Sequence, residues 1–68
     1  VKAYITRGIA YYSLDQYERA IEDYDQAIRL DPQLPAAYYF RGVVYEELGK
    51  SEEAERDYQK AKQLGFPL

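Results

Sequence analysis

The sequence predicts an all-α chain built from two tandem copies of a 34-residue helix–turn–helix unit, residues 1–34 and 35–68. Three observations carry that expectation: the chain matches itself at a fixed shift, apolar residues recur at helical spacing, and helix-breaking residues fall at corresponding points. A fixed period in this length range marks repeat architecture and outranks local patterning. Shifted by 34, the chain matches itself at Ala3/Ala37, Tyr4/Tyr38, Arg7/Arg41, Gly8/Gly42, Tyr11/Tyr45, Leu14/Leu48 and Glu18/Glu52. The matches continue at Ala20/Ala54, Asp23/Asp57, Tyr24/Tyr58, Ala27/Ala61, Leu30/Leu64 and Leu34/Leu68, thirteen identities without a gap.

Within the first copy, Tyr4, Gly8, Tyr11 and Leu14 step by three or four residues and define one face of a helix over 2–14. Asp15 interrupts it, and its counterpart is Gly49; both residue types tolerate the left-handed conformation that closes helices. Ala20, Tyr24, Ala27 and Leu30 form the stripe of a second helix over 17–30. It stops at Asp31-Pro32, because the residue before proline is pushed out of the α region. Pro35 suits the first turn of a third helix over 35–48, where its missing N–H has no partner to lose. Ser51 is the expected cap of a fourth helix over 51–64, with Glu52 and Glu53 at the positive end of its dipole. Gly65 ends that helix, and no segment reads as strand. Gly8 and Ala20 stand where antiparallel helices must approach closely. A mid-helix Gly costs about 1 kcal/mol against Ala, so its recurrence at Gly42 points to a steric need. Tyr4, Gly8, Tyr11, Ala20, Tyr24 and Ala27, with their counterparts, are expected to be mostly buried.

At 68 residues there is room for one small domain with a thin core. No Cys or His is present, which removes disulfide frameworks and Cys/His zinc sites and leaves the compartment open. Nine basic and twelve acidic residues give a net charge of −3, which disfavours a phosphate backbone as partner. The longest apolar runs, such as Ile9 to Tyr12, are too short to span a bilayer. No signal-peptide pattern opens the chain; Val1 starts without Met inside a helical pattern, so the chain is expected to be an excised fragment.

With Tyr4, Gly8, Tyr11, Ala20, Ala27 and Pro32 in the first copy and Tyr38, Gly42, Tyr45, Ala54 and Ala61 in the second, the chain resembles the tetratricopeptide repeat family over its whole length. It departs where Pro32 should recur: Phe66 stands there and proline follows at Pro67. The resemblance implies a right-handed solenoid of helix pairs whose first helices line a concave groove for peptide segments of partner proteins, on a scaffold that is not enzymatic. That step from fold to function is analogy. By the same resemblance, groove positions fall on Lys2, Ile5, Ile9, Tyr12 and Ser13, and on Ala36, Tyr39, Val43, Glu46 and Glu47. These residues differ between copies while the core stripe repeats, the pattern expected if one stripe is architecture and the other recognition. A blander reading has them touching neighbouring repeats or nothing. The sub-family that grips a C-terminal carboxylate uses Lys and Asn where this chain has Ile5, Ile9 and Phe40, so that ligand is not expected.

No catalytic residue, metal site or cofactor is expected. Ser13 and Ser51 lack an evident base, and Glu46-Glu47 and Glu52-Glu53 are adjacent residues that diverge by about 100° on a helix and read as solvated faces. Asp23 and Asp25 lack the glycine and bidentate glutamate of a calcium loop. The tyrosines could stack on bases, but six of the nine occupy the core stripe, so no nucleic-acid partner is expected. Arg7 and Asp23, repeated as Arg41 and Asp57, are expected to form interhelical ion pairs, Arg7 with Asp23 and Arg41 with Asp57 or with Asp23 across the junction. Glu55 and Lys62 replace Ile21 and Ile28, the polar outer face of a terminal repeat. Ala3 and Ala10 leave the N-terminal face open for upstream repeats or a second copy. Two function classes remain: a groove that binds a peptide of a partner protein, and a structural spacer or self-associating unit of a longer helical array.

Overall fold

The computed structural model describes residues 1–67, so Leu68, its match to Leu34 and the end of the second copy lie outside the described residues. Four helices follow one another: α1 Lys2–Ser13, α2 Tyr17–Leu30, α3 Pro35–Glu47 and α4 Ser51–Gln63. Each begins and ends within two residues of its sequence expectation, and among the described residues there is no strand. The helices form two hairpins, α1 with α2 and α3 with α4, joined where α2 packs on α3; α1 also touches α3. No helix among the described residues is long and apolar enough to cross a membrane.

Three of the four helix ends close in the same way. After α1, the Gln16 N–H donates to the Tyr11 carbonyl and the Asp15 N–H to Tyr12, with Asp15 at φ 59°. After α3 the Lys50 N–H reaches Tyr45 around Gly49 at φ 77°, and after α4 the Phe66 N–H reaches Ala61 around Gly65 at φ 104°. This paired closure satisfies carbonyls that the helix end would otherwise leave bare. Helix α2 ends differently. Asp31 is extended before Pro32, and its carboxylate accepts from the Gln33 N–H at 3.2 Å. The cap expected at Ser51 is not formed: Ser51 is already helical, Lys50 occupies the cap position, and no side chain caps α4. The closure at Gly49 draws Lys50 back toward Tyr45, and the helix starts one residue earlier than a serine cap requires.

Alanines 20, 27, 54 and 61 are at most 2% exposed and let the helix backbones close on one another. Tyr24 and Val44 are each 1% exposed and fill the space between hairpins, with the Tyr24 ring stacked on Phe40 at 6.1 Å. Tyr4, Tyr11, Tyr45 and Tyr58 are half-buried rather than buried, which corrects the expectation. For Tyr4 the reason is visible in its counterpart Tyr38, which is buried and donates to the Pro32 carbonyl at 3.0 Å. Among the described residues no such turn lies above Tyr4. Leu14 and Leu30, placed on the core stripe by their spacing, are 65% and 59% exposed, because each stands at the end of its helix, beyond the partner's reach.

Candidate functional site

Helices α1 and α3 lie side by side along one face of the molecule, and between them opens a cavity of about 340 Å³. Ile9, Tyr12 and Ser13 come from α1, Tyr39, Phe40 and Val43 from α3, and Tyr24 contributes from α2. Helical spacing explains the grouping, since Ile9, Tyr12 and Ser13 share one face of α1, as do Tyr39, Phe40 and Val43 on α3. Of the groove residues expected from sequence, Ile9, Tyr12, Ser13, Tyr39 and Val43 line this cavity. Ile5 is instead half-buried against Ala20, Tyr24 and Val44. Lys2 is exposed and Ala36 half-buried, and neither lines the cavity. Tyr24 and Phe40 are walls that the sequence pattern did not single out; Phe40 replaces Thr6, an apolar gain on the stripe facing the preceding hairpin.

Glu46 and Glu47 are exposed at one end, and hydroxyls hold both. Tyr58 Oη donates to Glu46 Oε1 at 2.9 Å, and Tyr12 Oη donates to Glu47 Oε1 at 3.5 Å across the two hairpins. Burial, reinforced by Glu47, pushes the Tyr12 hydroxyl above its ordinary value; burial and then the bond to Glu46 do the same to Tyr58. Tyr39 is the hub of an aromatic cluster, stacked on Phe66 at 4.5 Å and tilted against Tyr58 at 5.7 Å. The ring that departs from the repeat pattern therefore packs against the groove wall. Among the described residues no three carboxylates converge where a metal ion could sit.

The charged pairs lie between the helices. Arg7 Nε and Nη2 donate to the two oxygens of buried Asp23 at 2.9 and 2.7 Å, and Arg41 does the same to Asp57 at 2.8 Å twice. Such fork-to-fork pairs fix orientation as well as supplying charge. The pairing expected between Arg41 and Asp23 does not occur. Arg41 Nη1 donates instead to Asp25 Oδ1 at 2.8 Å. Residues two apart on a helix point about 200° apart, so Asp23 faces its own hairpin while Asp25 faces the next. Each guanidinium also sits between two tyrosine rings, Arg41 at 5.7 Å from Tyr38 and 5.8 Å from Tyr45, and Arg7 at similar distances from Tyr4 and Tyr11.

Burial, with Asp23 next in effect, pushes the Tyr24 hydroxyl up to about 12. Tyr12, Tyr45 and Tyr58 move in the same direction, burial being the first cause in each. A group whose pKa is higher in the folded chain favours the fold below its unfolded value and loses that contribution as pH rises to the folded one. Unfolded tyrosines ionise near 10, so stability is expected to hold to about pH 10 and to fall between about 10 and 12. Helical circular dichroism and phenolate absorbance, followed together across that window, should change in one coupled step. Ionisation of every tyrosine near pH 10 with the helices intact would contradict it.

A family model described as TPR repeat matches residues 8–49, and a second, described as Tetratricopeptide repeat, matches residues 35–64. No curated protein matches the chain. With well over half of its length under the first match and two helical hairpins in its structure, the chain belongs to the tetratricopeptide repeat family, whose repeats are generally protein–protein interaction modules without catalytic activity.

Proposed function

We propose that this chain holds a short peptide segment of a partner protein between α1 and α3, with one apolar side chain in the cavity and a Lys or Arg against Glu46 and Glu47. The observation that carries this reading is the joining of two chemistries in one place. An apolar cavity lined by Ile9, Tyr39, Phe40 and Val43 shares its Tyr12 wall with the Glu47 carboxylate, which the Tyr12 hydroxyl steers, and Glu46, its neighbour on α3, is steered by Tyr58. A cation on the ligand would meet oriented acceptors rather than freely rotating side chains. At about 340 Å³ the cavity stands at the small end of ligand pockets and suits one or two side chains. One anchor contributes about 1.5–3 kcal/mol before ordering costs. The isolated pair of hairpins should therefore bind in the range of about micromolar to millimolar.

The test is an amide chemical-shift titration with an acetylated, amidated tetrapeptide carrying a Leu and a Lys, beside the same peptide with Glu for Lys. Shifts are expected at Ile9, Tyr12, Val43 and Glu47, weaker for the Glu peptide. Ile9→Ala and Glu47→Lys should each reduce affinity; both side chains are exposed enough for the fold to survive. Tyr39→Ala is a poorer probe, because the ring also carries the stack with Phe66. Shifts confined to α2 and α4, or equal affinity for both peptides, would leave the chain as a spacer between other elements.

A further inference from the structure

Two places where the copies differ meet in space. The second copy carries Tyr39 where the first has Ile5, and Phe66 where the first has Pro32. Far apart in the chain, their rings stack at 4.5 Å with 15° between planes, the shortest ring separation among the described residues. The backbone fixes where the Phe66 side chain starts. Gly65 at φ 104° turns the chain after α4, and the Phe66 N–H then donates at 2.9 Å to the carbonyl of Ala61, a residue that is 0% exposed. Tyr39 also meets Phe40 edge-on at 5.5 Å and Tyr58 at 5.7 Å. A half-buried tyrosine on a helix has more than one staggered well open to it, and a ring lying flat on its face selects one. Phe66 does not line the cavity, whereas Tyr39 does, so any effect of Phe66 on a ligand passes through Tyr39. Tyr58 carries that effect one step further, because its hydroxyl holds Glu46 at 2.9 Å. In the first copy the corresponding places hold Ile5, Pro32 and Tyr12, so this chain of contacts cannot form there.

We infer that Phe66 is a positioning residue for the groove: it locks Tyr39 as the cavity wall and, through Tyr39 and Tyr58, holds Glu46 ready for the cation of a ligand. The inference rests on the groove reading given above. It adds that the apolar half and the acidic half of the site are set by one ring that belongs to neither. With Phe66 in place, Tyr39 and Glu46 are ordered before a ligand arrives, so the cost of ordering them does not fall on binding. Without it, Tyr39 regains other rotamers, Tyr58 loses a packed neighbour, and Glu46 loses a fixed donor. Affinity and charge preference are therefore expected to fall together. A residue that only closed the end of α4 would change stability and leave the preference for a cationic ligand intact.

The experiment compares the whole chain with Phe66→Ala, Phe66→Leu and Phe66→Tyr, first without ligand and then in titrations with the Lys and Glu tetrapeptides. Without ligand, the χ1 couplings of Tyr39 and its through-space proton contacts with Tyr58 report the wall directly. The parent chain and Phe66→Tyr should show one Tyr39 rotamer and a firm contact with Tyr58. Phe66→Ala and Phe66→Leu should show averaged couplings and a weakened contact, with helical circular dichroism unchanged. Phe66→Leu keeps an apolar side chain at the turn, which separates the loss of stacking from a loss of stability. In the titrations, Ala and Leu at this position should weaken binding of the Lys peptide about two- to tenfold, the range for one aromatic contact. The preference for the Lys peptide over the Glu peptide should shrink in the same variants, and Phe66→Tyr should keep both. A single Tyr39 rotamer in Phe66→Leu, or an unchanged peptide preference, would overturn the positioning role. So would loss of the helices in Phe66→Leu, which would make Phe66 a residue of the fold. Absence of binding by the parent chain would overturn the groove reading and the ligand half of this inference with it, while the ligand-free couplings decide separately whether Phe66 holds Tyr39.

Discussion

Gly8→Val is expected to lower the stability of this chain by about 1–3 kcal/mol, the usual cost of forcing extra carbons into a filled interior. A Cβ on Gly8 would lie 2.5 Å from Cε1 and 2.9 Å from Cζ of Tyr24. The ring cannot yield, being 1% exposed and stacked on Phe40. Even Gly8→Ala, which on an open helix would gain about 1 kcal/mol from propensity, should lose stability here. Gly42→Val should also destabilise, but by less. Its added Cβ meets Tyr58 at 2.9 Å, and Tyr58 is only half-buried, with a hydroxyl bonded to exposed Glu46. Against a total stability of about 3–10 kcal/mol for a domain of this length, the Gly8 change removes a large fraction. Urea unfolding of the three variants decides it. A gain in stability for Gly8→Ala would mean that Tyr24 has room the packing denies.

The frame of this fold was open in the sequence because repetition doubles every signal. Gly8 needed Gly42, and Asp15 needed Gly49, before either read as more than a local oddity; both pairs stand at the close approaches and helix ends they indicated. Burial was less legible. The spacing that placed Tyr4 and Leu14 on a core stripe says which side of the helix they occupy, not whether another element covers that side. Tyr38 is covered by the turn at Pro32, while among the described residues no turn covers Tyr4, a difference set by neighbours rather than by the residue. The same holds for the candidate groove. Ile9 and Val43 were readable from their positions, but Phe40, the ring of Tyr24 and the stack of Phe66 on Tyr39 depend on how two hairpins meet. The charge pattern fell between these cases. Asp23 and Asp57 were marked by recurrence, whereas Asp25, which binds Arg41 across the junction, does not recur and gave no such signal.

Asp57→Ala is expected to cost about 2–4 kcal/mol, well above the effect of any other carboxylate removal in the chain. Breaking a buried pair by deleting one partner costs about 3–5 kcal/mol, because the remaining charge is left without compensation. Asp57 is 5% exposed and accepts two bonds from Arg41, whose side chain is 20% exposed and lies between two tyrosine rings. The stranded guanidinium keeps one acceptor, Asp25, which moves the effect about 1 kcal/mol below that range. Asp25→Ala itself should cost no more than about 1 kcal/mol, since its side chain is 42% exposed and Arg41 retains its fork. Asp23→Ala removes the same geometry from the first hairpin and should nevertheless cost less than Asp57→Ala. Arg7 is 59% exposed and can turn its freed N–H groups to water. Adding Arg41→Leu to Asp57→Ala should recover part of the loss, because the uncompensated charge goes with it. Denaturant unfolding of the single and double variants gives the coupling directly. Equal costs for Asp57→Ala and Asp23→Ala would show that burial of the guanidinium does not set the difference between the two hairpins.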